Sequence, residues 1–235
     1  MAAIRWRPIE NNPEVLTELS HSLGLDASFG FHDVYSLDDT DLLAFVPRPA
    51  LALVLVFPVS ESYENFRHRD DASVEQSNGV DEKAVVWLKQ TIGNACGTMA
   101  ILHTVSNNES KLTPDSDFAN LLKEIKQQET PDRVRTIERS KLIDSAHQAA
   151  AGQGQSAIIE ADEPVDLHFV AFVKSETNQH LYELDGRRKG PIDHGLLGED
   201  EDMLSEKALN VVKQFVSKAG DGGDLNFSLC ALAPN

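Results

Sequence analysis

The chain has 235 residues, enough for one large domain or two small lobes around a sizeable core, and its 41% apolar and 25% charged residues are ordinary for a soluble globular protein. No stretch resembles a secretory signal, and the longest apolar run, residues 50–57, is too short to span a bilayer, so no membrane partner is expected. A formal net charge of −17 without a basic patch disfavours nucleic acid. Two cysteines make no disulfide framework, which predicts a reducing compartment: the cytoplasm, with the nucleus left open.

The first quarter of the chain contains short helical patterns and one strongly apolar run. Asn12 followed by Pro13 is typical of a helix start, and Gly24 of a helix stop. Residues 38–45 predict a brief helix. Residues 50–57 favour β structure throughout and are bounded by prolines, which predicts a strand buried on both faces.

The middle of the chain is predicted to be mainly helical. Residues 61–83 are polar and poorly periodic, and we expect a loop there with at most one helical turn. Asn94 is expected to cap a helix that runs to about Asn107. Two further helices are expected from Ser116 and from Thr130, and the second extends to Ile143.

The last third of the chain begins with a long loop and continues with a hairpin. Residues 151–166 are rich in small, polar and acidic residues, and loops of this length usually carry a function. Residues 167–173 and 180–184 predict two strands joined by a turn. A long amphipathic helix over residues 204–216 and a final strand over residues 225–231 follow.

Cys96 is the first candidate for chemistry. It is expected in the first turn of its helix, where unpaired backbone N–H groups stabilise a thiolate, the nucleophilic form of the side chain. Cysteine is also a common small buried residue, and position alone leaves both interpretations open. Cys230, in the middle of the final strand without polar neighbours, fits the buried interpretation.

A nucleophilic cysteine needs a base, and the chain offers eight histidines. His103 is on the same helix face as Cys96 but about 10.5 Å along the axis, which is too far, so it is expected in the core or at an interface. His168 interrupts an apolar strand, a place where an isolated histidine is more often structural. The remaining histidines discussed for this role are expected at the surface: His21, His32, His68, His147 and His194.

The predicted hairpin changes the interpretation of His168. If its turn is centred on Thr177, Lys174 lies opposite His180, and His168 lies opposite Gly186, beside Asp185. A carboxylate next to a histidine fixes its tautomer and stabilises its charged form. Asp185 and Gly186 alone would be ordinary turn residues, but their register with His168 favours a catalytic pair.

Gln90 can supply the remaining part of a thiol hydrolase. Its side-chain NH₂ group and the Cys96 backbone N–H could together bind the oxyanion of a tetrahedral intermediate, although a glutamine before a helix is by itself only a polar loop residue. No cysteine–histidine cluster has zinc spacing and no glycine-rich phosphate loop occurs, so neither a metal nor a cofactor is expected.

These residues resemble a known family. Residues 90–97, Gln-Thr-Ile-Gly-Asn-Ala-Cys-Gly, are similar to the active-site signature of the ubiquitin C-terminal hydrolases, which are small papain-like cysteine peptidases. Residues 167–169 and 181–187 resemble the family's histidine and aspartate segments, and residues 12–15, 33–35 and 46–49 resemble its N-terminal half. The resemblance covers nearly the whole chain, so one catalytic domain over residues 1–235 is expected.

The resemblance implies an α+β fold with a central, mainly antiparallel sheet flanked by helices, in a two-lobed, knotted chain. It implies Cys96 as nucleophile, His168 as base and acid, Asp185 as orienting carboxylate and Gln90 as oxyanion donor. It also implies ubiquitin as substrate, with residues 151–166 crossing over the site and limiting leaving groups to small or unstructured ones. The positions implied to contact ubiquitin are Pro8, Ile9, Glu10, Asp33, Asn94 and Leu225.

Two alternatives stay open at this point. The same thiol chemistry could act on a related ubiquitin-like modifier, and the fold could be a binding module without catalysis. The complete set of Gln90, Cys96, His168 and Asp185 disfavours the second, because a pure binding module has no need for all four. Nothing indicates an oligomer, and a monomer is expected. The acidic charge is suited to the arginines of ubiquitin's tail.

Overall fold

A six-stranded sheet forms the centre of the computed structural model, and helices cover both of its faces. The structure describes residues 4–74, 84–153, 166–220 and 226–235. The helices are Pro13–Ser22 (α1), Thr40–Leu43 (α2), Glu61–Val74 (α3), Cys96–Ser106 (α4), Asp117–Lys126 (α5), Thr130–Arg139 (α6), Lys141–Ala151 (α7) and Glu206–Ala219 (α8). The strands are Phe29–Asp33 (β1), Ala52–Pro58 (β2), Leu167–Lys174 (β3), His180–Leu184 (β4), Ile192–Leu196 (β5) and Ser228–Pro234 (β6).

The strand order is β1-β6-β2-β3-β4-β5, and every neighbouring pair is antiparallel. The predicted central antiparallel sheet flanked by helices is therefore confirmed. The knot and the two lobes stay predictions. Among the described residues, none of the helices combines the length and the apolar character that crossing a membrane would require.

Strand β2 lies between β6 and β3, and both of its faces are buried as predicted. Ala52, Val54 and Val56 belong to the core shared with α1, α4, α5 and α7. Leu53, Leu55 and Phe57 belong to the second core, which α8 and the first turn of α3 complete. Because successive side chains of a strand point to opposite faces of the sheet, one apolar run contributes to two cores.

The β3–β4 hairpin is present, with a register one residue away from the prediction. Lys174 lies opposite Leu181, and the ladder ends where Ala171 meets Leu184. Asp185 and Gly186 follow the last paired residue of β4 directly. The predicted neighbourhood of His168 and Asp185 therefore depends on the side chains beyond the ladder, and not on a backbone pair.

The prediction of a loop over residues 61–83 is wrong for its first part, because Glu61–Val74 forms a helix of 14 residues, and residues 75–83 lie outside the described residues. Its sequence is strongly polar, and helical periodicity is weak. The helix is held by tertiary contacts: Tyr63 and Phe66 pack against Phe215 of α8, and Arg67 pairs with Glu64 and Asp71 along the helix. Ion pairs and one apolar stripe thus outweigh a weak local pattern.

Two other boundaries differ from the prediction. The helix expected from Thr130 past Ile143 is divided at Ser140, which has an extended backbone and accepts a hydrogen bond from the Ile143 N–H as the cap of α7. The last strand, Ser228–Pro234, starts three residues later than expected. Strand β5 was not predicted at all. Most of the predicted crossover loop, residues 154–165, lies outside the described residues.

Candidate active site

Cys96 is the first residue of α4. The cap residue is Ala95, which has no side-chain cap, so the prediction that Asn94 caps the helix is wrong. Asn94 has a φ of 59°, in the left-handed region, and turns the chain just before the helix begins. The half-buried Cys96 therefore stands at a helix start that Ala95 does not cap, a place where unpaired N–H groups favour negative charge.

Gly97 lets the chain pass close to this cysteine. A Cβ atom at this position would lie 2.5 Å from Cγ1 of Ile9 and 3.4 Å from Cζ of Phe169. Any larger residue would push the N-terminal segment and strand β3 away from the start of α4. The glycine after the cysteine therefore has a steric reason, which the sequence alone could only suggest.

His168 and Asp185 form a buried pair beside this helix start. Nε2 of His168 lies 2.9 Å from Oδ1 of Asp185, and the two side chains are 2% and 0% exposed. The Arg187 N–H donates to the same carboxylate oxygen at 2.8 Å. Because Nε2 is bonded to Asp185, Nδ1 is the nitrogen that remains for the thiol. The predicted contact between the histidine and the aspartate is thus present.

The charge of this pair is set by its members. Burial by itself lowers the pKa of His168, but the Asp185 carboxylate and a hydrogen bond with Cys96 outweigh it and raise the pKa to about 9. Burial would raise the pKa of Asp185, but the charge and hydrogen bond of His168 hold it well below its usual range. At neutral pH the structure therefore favours an imidazolium beside a carboxylate. The Cys96 sulfur lies 4.0 Å from the carbonyl of Leu167, the residue before His168.

Gln90 lies in the segment that leads into α4, close to the aspartate loop. Its Nε2 donates to the Ile92 carbonyl at 3.1 Å, while its buried Oε1 has no partner among the described residues. Its backbone N–H donates to the Gly186 carbonyl at 2.9 Å, and a Cβ atom at Gly186 would lie only 2.8 Å from that of Gln90. The oxyanion role stays a prediction, but the close approach explains why a glycine follows Asp185.

His103 is outside the site, as predicted. It is completely buried in α4, and its Nε2 accepts a hydrogen bond from the Leu88 N–H at 3.0 Å. Burial lowers the pKa of His103 to about 4. Asn107, one turn later, bonds both the N–H and the carbonyl of Val86. The two side chains hold the extended segment before Gln90 against α4.

The prediction that His147 lies at the surface is wrong. It is fully buried in α7, its Nδ1 lies 2.8 Å from Oγ1 of Thr98, and its ring stacks on Trp6 at 4.1 Å. Burial lowers the pKa of His147 to about 4. The indole that covers it comes from the other end of the sequence, so no local pattern could reveal the burial. His68 is exposed, whereas the other three histidines predicted at the surface are half-buried: His21, His32 and His194.

Tyr63 is the residue of the site that the sequence did not reveal. It comes from α3, where a loop was expected, and its hydroxyl donates to Oδ2 of Asp185 at 2.6 Å. Trp87 also contributes, because its indole N–H donates to the Asp185 carbonyl at 3.0 Å. The spacing of Tyr63 and Phe66 on one helix face was the available signal, and the surrounding charges obscured it.

The positions expected to contact a substrate lie on the side of the N-terminal segment and β1. Pro8, Glu10, Asp33 and Asn94 are half-buried. Ile9 is only 5% exposed and packs against Gly97, so the structure shows a packing role for it, and its predicted substrate contact stays a prediction. Leu225 lies outside the described residues.

Asp33 also borders a surface cleft of about 350 Å³. Tyr35, 68% exposed, and Phe227, 40% exposed, form part of its wall. Cys230 lies beneath, completely buried, with its thiol 3.7 Å from Oδ1 of Asp33, and burial raises its pKa. Exposed aromatic side chains such as these two are enriched at protein-binding surfaces.

Comparison with known proteins gives a consistent result. Residues 6–217 match the family described as ubiquitin carboxyl-terminal hydrolase, family 1. The chain is 41% identical to a ubiquitin carboxyl-terminal hydrolase of Aplysia californica over 216 residues, which are 91% of this chain and 96% of the relative. It is 37% identical to isozyme L1 of Homo sapiens, over 97% of this chain and 98% of the relative.

A relative from Dictyostelium discoideum, a probable ubiquitin carboxyl-terminal hydrolase, is 37% identical over 97% of this chain and 87% of its own length. Among solved structures, the UCH37 catalytic domain of Trichinella spiralis, bound to ubiquitin vinyl methyl ester, superposes with a TM-score of 0.70. That match covers 98% of this chain and 95% of the other at 23% identity, so it shows a shared fold.

Proposed function

The chain belongs to family 1 of the ubiquitin carboxyl-terminal hydrolases and is a deubiquitinating cysteine hydrolase, and we propose that Cys96, His168, Asp185 and Gln90 carry out its reaction. The observation that carries the assignment is the buried bond between His168 and Asp185 beside the start of α4, where the Cys96 sulfur lies 4.0 Å from the carbonyl of Leu167, the residue before His168. An acyl transfer needs these three groups in this order.

The reaction begins with the thiolate of Cys96 attacking the carbonyl carbon of the last glycine residue of ubiquitin. The thiol proton resides on Nδ1 of His168, and the negative charge of the tetrahedral intermediate develops on the former carbonyl oxygen. The Cys96 N–H and the Gln90 side-chain NH₂ stabilise that oxygen. One N–H bond of the Gln90 side chain donates to the Ile92 carbonyl at 3.1 Å, and the other is the donor assigned to that oxygen.

Collapse of the intermediate releases the amine and leaves ubiquitin attached to Cys96 as a thioester. His168 donates its proton to the departing amine, then removes a proton from water, which attacks the thioester and frees Cys96. Asp185 keeps the imidazole in one tautomer and stabilises its charge during both steps. The raised pKa of His168, about 9, supports its role as the proton donor in the first step.

The substrate is a ubiquitin with a small or unstructured group on its C-terminal glycine. The names of the relatives and the ubiquitin ligand of the Trichinella structure support ubiquitin as partner. The formal net charge of −17 supports attraction of a basic tail. The restriction to small leaving groups depends on the proposal that residues 151–166 cross over the site. Of these, residues 154–165 lie outside the described residues.

Mass spectrometry tests the proposal directly. After incubation with ubiquitin that carries an electrophilic C-terminus, we expect one adduct, on Cys96. Cys230 is an internal control, because it is a thiol with 0% exposure whose pKa burial raises. Cys96→Ser should remove the adduct and the turnover of a ubiquitin C-terminal amide while preserving ubiquitin binding.

Two outcomes would contradict the assignment. An adduct on Cys230, or substantial turnover by Cys96→Ser, would remove Cys96 as the nucleophile. Preferential labelling by a ubiquitin-like protein with the same electrophile would keep the chemistry but change the substrate. A ubiquitin complex that forms without any adduct would indicate that the protein is a binding module without catalysis.

A further inference from the structure

We propose that Tyr63 is a positioning residue that holds the Asp185 carboxylate in the plane required by His168. The inference rests on the proposed function, because it assigns a part in that reaction to a side chain that does not touch the reacting atoms. Its basis is the set of donors that surround the Asp185 carboxylate among the described residues.

The two carboxylate oxygens of Asp185 have different partners. Oδ1 accepts from Nε2 of His168 at 2.9 Å and from the Arg187 N–H at 2.8 Å. Oδ2 accepts from the Tyr63 hydroxyl at 2.6 Å. A carboxylate bonded only through Oδ1 could rotate about its Cβ–Cγ bond, because that torsion is broad. The tyrosine is the donor that fixes the second oxygen, and with it the direction of the first.

Water is poorly placed to replace this donor. Tyr63 and Asp185 are both 0% exposed, and His168 is 2% exposed. A buried carboxylate oxygen without a donor is costly, so the hydroxyl proton is strongly directed to Asp185. Burial, and then the Asp185 charge, raise the pKa of Tyr63, which keeps that proton in place over the whole working range of pH.

The tyrosine is itself held from two sides. Its ring packs edge-on against Phe57 of β2 with centroids 4.8 Å apart, and lies 6.0 Å from the ring of His168. On the same helix α3, Asp70 and Asp71 reach Arg188 at 2.8 and 3.4 Å. Arg188 closely follows Asp185 in the chain, so the helix that carries the hydroxyl is tied to the loop that carries the carboxylate.

Arg188 is completely buried and extends this connection to β4, through an ion pair of 2.9 Å with Glu183. Its guanidinium also lies 5.4 Å from the ring centre of Phe66, on α3. The cluster of Asp70, Asp71, Glu183 and Arg188 therefore sets the distance between α3 and the end of β4. That distance decides whether the Tyr63 hydroxyl reaches Oδ2.

The change Tyr63→Phe tests the role of the hydroxyl, because it keeps the ring and its packing. We expect kcat for a ubiquitin C-terminal amide to fall by about 10- to 100-fold, the range typical of a misplaced catalytic group, with KM little changed. The rate of Cys96 alkylation by iodoacetamide should fall as well. Both rates are expressed per folded, titratable enzyme molecule, so that a loss of folding is not counted as a loss of rate.

Tyr182→Phe is the matched control. Tyr182 is also 0% exposed and has a bonded hydroxyl, which accepts from Nδ2 of Asn178 at 2.9 Å, but it lies on β4 away from Asp185. We expect it to lose stability without losing rate per folded molecule. Equal losses of rate in the two variants would overturn the proposal.

A double-mutant cycle with Asp185→Asn separates positioning from general stability. If Tyr63 acts through the carboxylate, Tyr63→Phe should have almost no further effect on either rate in the Asp185→Asn background. Independent, additive effects would overturn the proposal. Alkylation of Cys96 requires no ubiquitin. If the two substitutions are coupled in the alkylation rate but the protein does not turn over the ubiquitin amide, the proposed substrate is wrong and the positioning role of Tyr63 is retained.

One measurement needs no variant, and it keeps the proposal open to refutation if Tyr63→Phe fails to fold. In the unchanged protein, the Tyr63 hydroxyl proton should exchange slowly with water and appear as a separate proton resonance. A hydroxyl proton in fast exchange with the solvent would overturn the proposal.

Discussion

His168 at the start of β3 and His103 in the middle of α4 are equally hidden from water but differ in charge. Their relative exposures are 2% and 0%. The pKa of His168 is raised to about 9, whereas that of His103 is lowered to about 4. Burial lowers both values, and only His168 has a carboxylate that outweighs it. The partner, and not the degree of burial, decides which buried histidine can exchange protons with a substrate.

The two histidines also support the site in different ways. His168 is bonded to Asp185, and its proposed role is to transfer protons. His103 bonds the backbone of Leu88, two residues before Gln90, and holds that segment against the helix that begins with Cys96. One histidine acts on protons, and the other acts on geometry. Three perturbations test this difference.

The largest expected effect comes from removing each ring in turn. His168→Ala should lower the turnover of a ubiquitin C-terminal amide by at least about 10⁴-fold, as loss of a member of a catalytic triad does. His103→Ala should reduce stability, because it creates a cavity and leaves backbone groups unpaired, but the rate per folded molecule should change little. Steady-state kinetics, normalised by active-site titration, measures both. A comparable loss of rate in the two variants would remove the distinction.

An intermediate effect is expected from Asp185→Asn, which takes away the carboxylate that distinguishes the two sites. Turnover should fall by about 10²–10⁴-fold, since both the tautomer and the charge of the ring lose their support. Without the negative charge, burial dominates, and the pKa of His168 should move from about 9 to below 6.5. The alkaline limb of the turnover rate should therefore move to lower pH.

A profile of rate against pH, for the unchanged protein and for Asp185→Asn, measures this shift. The glutamine variant of a carboxylate elsewhere, Glu176→Gln, is a suitable control, because Glu176 is exposed and bonds Ser110 far along the hairpin. An alkaline limb that stays in place in Asp185→Asn would show that another group sets the charge of His168.

The smallest effect concerns the neutral histidines and appears only in stability. A histidine whose pKa is lowered on folding stabilises the protein fully above its unfolded pKa of 6.5, and this contribution declines as the pH falls towards the folded pKa of about 4. His103 and His147 each add up to about 1.4 kcal/mol per pH unit to that slope. His168 adds nothing to the slope in this range. Its pKa is raised on folding, so its stabilising contribution is complete below pH 6.5 and is lost only as the pH rises through about 9.

His103→Gln can test this assignment, because an amide can still donate to and accept from the Leu88 backbone. The free energy of unfolding, measured with urea between pH 6.5 and 4.5, should fall less steeply with decreasing pH than in the unchanged protein. Equal slopes for the two proteins would mean that His103 is already charged in the folded state.

Much of the fold follows from local patterns. The start of α1 is an example, because Asn12 caps it by accepting the Glu14 N–H, and Pro13 has no N–H to leave unpaired. Strand β2 follows from its continuous apolar run, and α8 from its amphipathic spacing. The predicted proximity of His168 and Asp185 is confirmed although the hairpin register differs by one residue, since long side chains beyond the ladder can bridge that difference.

The failures at α3 and at His147 share one physical cause, which is that the deciding contacts come from distant parts of the chain. Helix α3 is polar and weakly periodic, and it is stabilised by Phe215 and Arg188. His147 is covered by Trp6, from the opposite end of the chain. Tertiary packing of this kind overrides local propensity and is invisible in a window of sequence.

For this protein, the sequence by itself determined the order of most elements, the family, and which residue types stand at the proposed positions of nucleophile, base and carboxylate. Only the tertiary structure decided the charges of His168 and Asp185, because these charges depend on partners and burial that no single segment contains. Only the fold placed Tyr63 on Asp185, and it did so by packing a helix that the sequence did not predict against the end of a hairpin that it did.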